Sequence, residues 1–147
     1  MGRTKSLKNE VKDILVNASE IPNTIDISTT LYPDNEKQKD EMYKQAEAID
    51  TSIVVTYAGR KFLQNTTGLY ITYNAFTVFI FSKILVDDNN NSSDIENLLD
   101  IVTDVLYQKG YVLFEDAPRP VKDEKTGLFE AVLIIGKNTQ YSGPEEE

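Results

Sequence analysis

The chain has no cysteine, no histidine and no tryptophan. Lacking cysteine, it forms no disulfide and offers no thiolate nucleophile; lacking histidine, it loses the commonest general base and the commonest metal ligand together. Most hydrolase constellations are closed to it, and no enzymatic activity and no cofactor are expected. Long apolar runs are missing as well: Thr77, Ser82 and Lys83 interrupt the most hydrophobic stretch, and nothing approaches the roughly 20 residues that span a bilayer. Positive charge is the scarcer sign, with 15 Lys and Arg against 24 Asp and Glu and a formal charge of -9. The cations do not cluster, so a nucleic-acid backbone is repelled on average and no specific nucleic-acid binding is expected. The start, Met1 to Lys8, runs into Asn9, Glu10, Lys12 and Asp13 rather than into an apolar signal core, so synthesis and use in a cytoplasm are expected.

What is present suits one domain. With 147 residues, 40% of them hydrophobic, a chain of this size buries roughly 68–70% of its unfolded surface. A single α+β domain over residues 1–140 is expected, followed by a mobile acidic tail over 141–147 that ends in Gly143-Pro144-Glu145-Glu146-Glu147.

Periodicity sets the elements. Leu7, Val11, Ile14, Leu15 and Ala18 fall on one helical stripe, and Pro22 ends that helix. Thr24 to Leu31 alternates polar with apolar as a half-buried strand does, with an edge position plausible. Met42, Tyr43, Ala46 and Ile49 give a narrower stripe to a second helix within 35–49. Ile53 to Tyr57 is β-branched without alternation, which predicts a strand covered on both faces near the sheet's centre, and Arg60 to Gly68 reads as a polar loop. From Leu69 to Leu85 a long β pattern puts Phe76, Val78 and Ile80 on one face and Thr77, Phe79 and Phe81 on the other.

Asp87 to Ser92 is a hydrophilic loop, and Ser93 with Glu96 forms a capping box for the clearest helix, buried through Ile95, Leu98, Leu99, Val102, Val105 and Leu106 and closed by Gly110. Tyr111 to Phe114 and Gly127 to Ile135 predict two strands that pair antiparallel. The fold class is therefore α+β: a mainly antiparallel sheet with about three helices packed against it. No βαβ unit with a glycine-rich crossover is visible, which argues against a nucleotide-binding doubly wound fold.

Chemistry-bearing patterns are few. Asp34, Asp123 and Lys125 imitate the carboxylate-plus-lysine composition of a metal-dependent nuclease, yet Asp123-Glu124-Lys125 runs straight into Thr126-Gly127 and reads as a hairpin tip. The Asp87-Asp88 run has oxygen ligands for calcium but lacks the glycine and closing glutamate of an EF-hand. No metal site is expected. Tyr57-Ala58-Gly59-Arg60-Lys61-Phe62 is the most individual segment, two cations and an aromatic ring directly after a glycine. Arg60, Lys61 and Phe62, with Tyr70 and Tyr73 on the following strand, are the candidate interface residues, having the arginine and aromatic character of binding hot spots.

Three segments carry a resemblance: Ile53-Val54-Val55-Thr56-Tyr57-Ala58-Gly59-Arg60-Lys61-Phe62, then Phe76-Thr77-Val78-Phe79-Ile80-Phe81-Ser82, then Asp94-Ile95-Glu96-Asn97-Leu98-Leu99-Asp100-Ile101-Val102 with Gly110. Over roughly residues 45 to 136 the chain resembles the Mu-like family of phage minor tail proteins. The resemblance implies a structural virion protein, a tail terminator that caps the head-proximal end of the tail tube. Its implied partners are other copies of itself in a ring, commonly hexameric, the tail tube protein, and a head completion or connector protein. The implied location is the virion, after synthesis in the host cytoplasm. The chain departs from the family in having no tryptophan and in its acidic, lysine-containing second helix. Two other functions fit the composition: an acidic binding module of adaptor or immunity type that meets a basic partner, and the small nuclease built on Asp34, Asp123 and Lys125.

Overall fold

The computed structural model describes residues 3–66, 69–83, 94–113 and 119–142; at 3–4, 60–66, 69–72 and 138–142 it describes the backbone only. Three helices, α1 (Arg3–Asn17), α2 (Glu36–Glu47) and α3 (Ile95–Gln108), accompany six strands: β1 (Asp26–Thr29), β2 (Thr51–Thr66), β3 (Leu69–Ser82), β4 (Val112–Leu113), β5 (Val121–Lys122) and β6 (Phe129–Ser142). The strands form one sheet in the order β1-β2-β3-β6-β4, with β5 also paired to β6. Every pairing is antiparallel except β1 with β2. This is the expected α+β architecture, and β4 with β6 is the expected antiparallel pair.

The helices cover both faces. α1 and α3 lie on one side, where Val11, Leu15, Ile95, Leu98, Val102 and Leu106 meet Ile53, Val55, Phe76, Val78, Ile80, Ala131 and Leu133. On the other side α2 sets Met42 and Ala46 against Val54, Phe79, Phe81 and Leu128. The period-two alternation of β3 thus feeds two separate cores. Phe76, Val78 and Ile80 fill one, Phe79 and Phe81 the other, and Tyr43 meets Phe81 edge to face at 5.5 Å.

Local chemistry sets the ends of the helices. Asn35 caps α2 by accepting from the Gln38 amide. The cap of α3 falls one residue later than the expected Ser93, which lies outside the described residues: the Asp94 carboxylate is buried and accepts from the Asn97 amide at 2.8 Å. An acidic cap also suits the positive end of the helix dipole better than a hydroxyl. At the other end Gly110, at φ +92, donates to Tyr107 O while Tyr111 donates to Leu106 O, the paired bonds of a Schellman stop.

One expectation needs correction. Of the loop expected from Arg60 to Gly68, residues 60–66 are strand: β2 runs on to Thr66 along β3, and 67–68 lie outside the described residues. Register irregularities at Tyr57/Gly59 and Phe62/Gln64, with Gly59 at φ +144, absorb extra residues without ending the ladder. Polar composition there is compatible with a paired strand, because the ladder is made by backbone groups. The parallel edge was not expected: β1 and β2 are neighbours joined through α2 as a βαβ unit, and, consistent with the sequence reading, its crossover carries no glycine. The loop expected at Asp87 to Ser92 and the acidic end at 143–147 lie outside the described residues, while Tyr141 and Ser142 belong to β6.

The doubly covered strand β3 should dominate stability. Phe81→Ala removes a fully buried ring and is expected to cost about 3–5 kcal/mol, read as a lower urea midpoint. Gly110→Ala forces a side chain into left-handed backbone and should cost about 1–2 kcal/mol in the same titration.

Candidate functional site

A row of small residues crosses the sheet where Gly59 pairs with Ala75 and Ala75 pairs with Gly136. On the near side of this row lie the two cores. On the far side β2, β3 and β6 continue together to Thr66, Leu69 and Ser142. The outer strands stop short: β1 pairs with β2 only as far as Val55, and β4 pairs with β6 only at Gly136 and Ile135. Among the described residues the far half of the sheet is thus a three-stranded extension. Residues 59–66 of β2 reach roughly 25 Å at the usual rise per residue.

The five sequence-predicted interface residues all fall on this extension, Arg60, Lys61 and Phe62 on β2, Tyr70 and Tyr73 on β3. Lys61 stands directly opposite Tyr73, Arg60 opposite Asn74, and Asn65 opposite Tyr70. Tyr73 is half-buried, and its ring occupies the space a Cβ on Gly136 would need. Burial pushes its phenol up from the ordinary value. Gly136 is glycine because the Tyr73 ring lies on it.

The residues of the nuclease pattern each have local partners. The Asp123 carboxylate accepts from both the amide and the hydroxyl of Thr126, 2.9 and 2.6 Å, inside the turn between β5 and β6. Lys125 lies 3.7 Å from Asp40 on α2, and the Asp34 amide donates to Gln38 near the start of that helix. Among the described residues no group of three acidic side chains is gathered so as to hold a metal ion. Among them, too, no helix is long and apolar enough to cross a membrane.

Three features were missed in the sequence. The first is a half-buried hydrogen bond between layers, from the Tyr43 hydroxyl on α2 to Glu130 Oε2 on β6 at 2.7 Å. Desolvation raises the Glu130 carboxyl above its usual range, opposed by the tyrosine bond and by Lys39, while burial and Glu130 push the Tyr43 phenol up. Its signal was a lone carboxylate inside Phe129-Glu130-Ala131-Val132-Leu133. The second is Lys137, which lies 3.7 Å from Glu10 and 5.1 Å from the centre of the buried Tyr111 ring, joining α1 to the sheet behind α3. Burial first, then Glu10, raises the Tyr111 phenol.

The third is a groove of about 360 Å³ along the outer side of α2. α2 covers the middle of the sheet and leaves bare the step down to edge strand β1. Asp26, Ser28 and Thr29 form one wall, Glu41, Gln45 and Ile49 the other, and Ser52 the floor. The Ser52 hydroxyl is buried and has no hydrogen-bond partner among the described residues. A wider cleft of about 720 Å³ separates α1 from α3 and includes Glu10, Asp13, Glu20 and Lys109. No family model and no curated protein matches this chain.

The Tyr43–Glu130 pair gives a pH signature. Glu130 binds its proton more tightly folded than unfolded, so its own contribution to stability is fully present below its ordinary value near 4.5 and is lost as pH rises from there through the raised folded value. Glu130→Gln should flatten that decline. Tyr43→Phe should steepen it and cost about 1–2 kcal/mol at neutral pH, discounted for partial exposure; urea titrations between pH 4 and pH 8 check both.

Proposed function

We propose that this chain is a structural subunit of a phage-type tail, a tail terminator that forms a ring on the head-proximal end of the tail tube. The observation that supports the reading is the three-stranded extension past Gly59, Ala75 and Gly136, with its outer edges unpaired among the described residues. Unpaired strand edges invite pairing with another chain, and a protein that leaves a long one open has a partner for it or manages it as a hazard. All five candidate interface residues, Arg60, Lys61, Phe62, Tyr70 and Tyr73, share this extension.

A contact that uses the extension of one subunit and a different surface of the next is head-to-tail. Such contacts close into a ring when the rotation between subunits permits. The tail tube protein and a head completion or connector protein are the further partners of the reading, and the virion tail its location. The chain's net charge of -9 suits a conduit for DNA, because an acidic lumen neither binds nor stalls a polyanion. The resemblance over residues 45 to 136 points the same way, and the structure supplies the extension on which the Arg60 to Phe62 part of that resemblance lies.

Light scattering over a concentration series, alone and with tail tube protein from the same locus, tests the proposal. The expected result is a discrete ring mass, either free or only on the tube. A monomer at every concentration that also ignores the tube overturns it and favours the acidic binding module.

A further inference from the structure

Resting on the reading of a ring, we infer that the joint between neighbouring subunits is a strand-to-strand contact, in which edge strand β1 and the groove beside α2 of one copy receive the outer edge of β2, past Gly59, from the next copy.

The receiving side is open in its backbone. Thr30 donates to Val55 O at 3.1 Å, continuing the ladder toward β2. Backbone groups alternate along a strand, so Asp26 and Ser28 turn the same way as Thr30, while Ile27 and Thr29 turn their N–H and C=O groups away from β2. Among the described residues no strand pairs with that outer side. The end of β1 is held in place independently, because Lys8 on α1 donates to Thr30 O at 3.3 Å. A fixed edge with free donors and acceptors is the requirement for strand addition.

The surroundings of that edge specify what it accepts. Both charged residues that line the groove, Asp26 and Glu41, are acidic, and both are exposed. Leu31 at its mouth is 80% exposed, and Ile49 is also exposed, so apolar contact is on offer beside the carboxylates. The buried Ser52 hydroxyl at the floor lacks a partner among the described residues, and a polar group from an incoming strand would satisfy it. The groove therefore fits an extended segment that brings cations together with apolar side chains.

The same chain carries such a segment. Arg60-Lys61 is its one adjacent pair of cations, followed by Phe62 and Leu63. The pair sits in β2 beyond Val55, the last residue paired with β1, so the outer backbone edge at this point has no strand partner among the described residues. Consecutive strand positions alternate between faces, so one of positions 60 and 61 belongs to the α2 side. Donor and acceptor edges lie at different places on the subunit, which makes the contact heterologous and able to propagate around a ring. In a chain with a charge of -9, pairing the cations with a carboxylate-lined groove also removes part of the repulsion between copies.

Charge exchange tests this. Asp26→Lys with Glu41→Lys, and separately Arg60→Glu with Lys61→Glu, should each weaken ring formation about tenfold or more. All four changes together should restore it to within about threefold of the unaltered chain, the coupling expected of residues in contact. Thr29→Pro, which deletes an outward N–H, should weaken the ring without disturbing the monomer's thermal unfolding. Ring mass is read by light scattering, free or on the tail tube as the unaltered chain requires. If the unaltered chain forms rings but both charge-reversed pairs leave them unchanged, or the fourfold variant is no better than either pair, the joint lies elsewhere and only this inference falls. If the unaltered chain never assembles, with or without the tube, this inference and the tail-terminator reading fall together.

Discussion

Strand β3 is apolar on both sides over Phe76 to Phe81, and a strand of that kind has to be covered twice. The helices are arranged around this requirement. α1 and α3 supply the cover for Phe76, Val78 and Ile80, with α3 held in place by its buried Asp94 cap and by the turn at Gly110. α2 supplies the cover for Phe79 and Phe81, and to reach that face the chain leaves β1, crosses over the sheet and returns in parallel as β2. The parallel pair in an otherwise antiparallel sheet is thus a consequence of β3 having two greasy faces.

Cover on one half of the sheet defines the other half by contrast. The residues of both cores lie on the near side of the Gly59, Ala75 and Gly136 row. Small residues are costly in strands unless something approaches closely or the strand changes course. Here the Tyr73 ring takes the space over Gly136, and Gly59 carries a left-handed φ at a bulge. The row is a junction between a packed body and a backbone-paired extension. Because hydrogen bonds along the ladder continue across it, the body positions the backbone of the extension.

The sequence made the body legible and the extension obscure for one reason. Apolar periodicity reports burial, and burial is where the core is: the stripes of Leu7 to Ala18 and Ile95 to Leu106 and the alternation of Phe76 to Phe81 all landed as expected. Polar residues between Arg60 and Thr66 carry no such signal, so the sequence predicts a loop where the chain forms a long paired strand. Asp94 in place of Ser93 shows the same limit at finer scale, since two adjacent residues both able to cap are told apart only by which side chain reaches the Asn97 amide. The groove beside α2 was not legible at all. It arises from the lateral offset between a helix layer and an edge strand, a relation between elements distant in sequence.

The candidate site inherits this division. The five residues whose chemistry marks them as interface candidates share one structural feature, the paired extension of β2 and β3. What joins them is that each is aromatic or cationic and stands on the far side of the small-residue row, the residue types enriched at binding hot spots. Tyr73 is the exception that fixes the boundary, half-buried against Gly136 while facing Lys61 across the ladder. A substitution at Tyr73 therefore mixes a folding effect with any interface effect. Arg60 and Lys61 stand three and four positions past Tyr57, beyond the bulge between Tyr57 and Gly59, where the ladder with β3 continues at Asn74 and Tyr73.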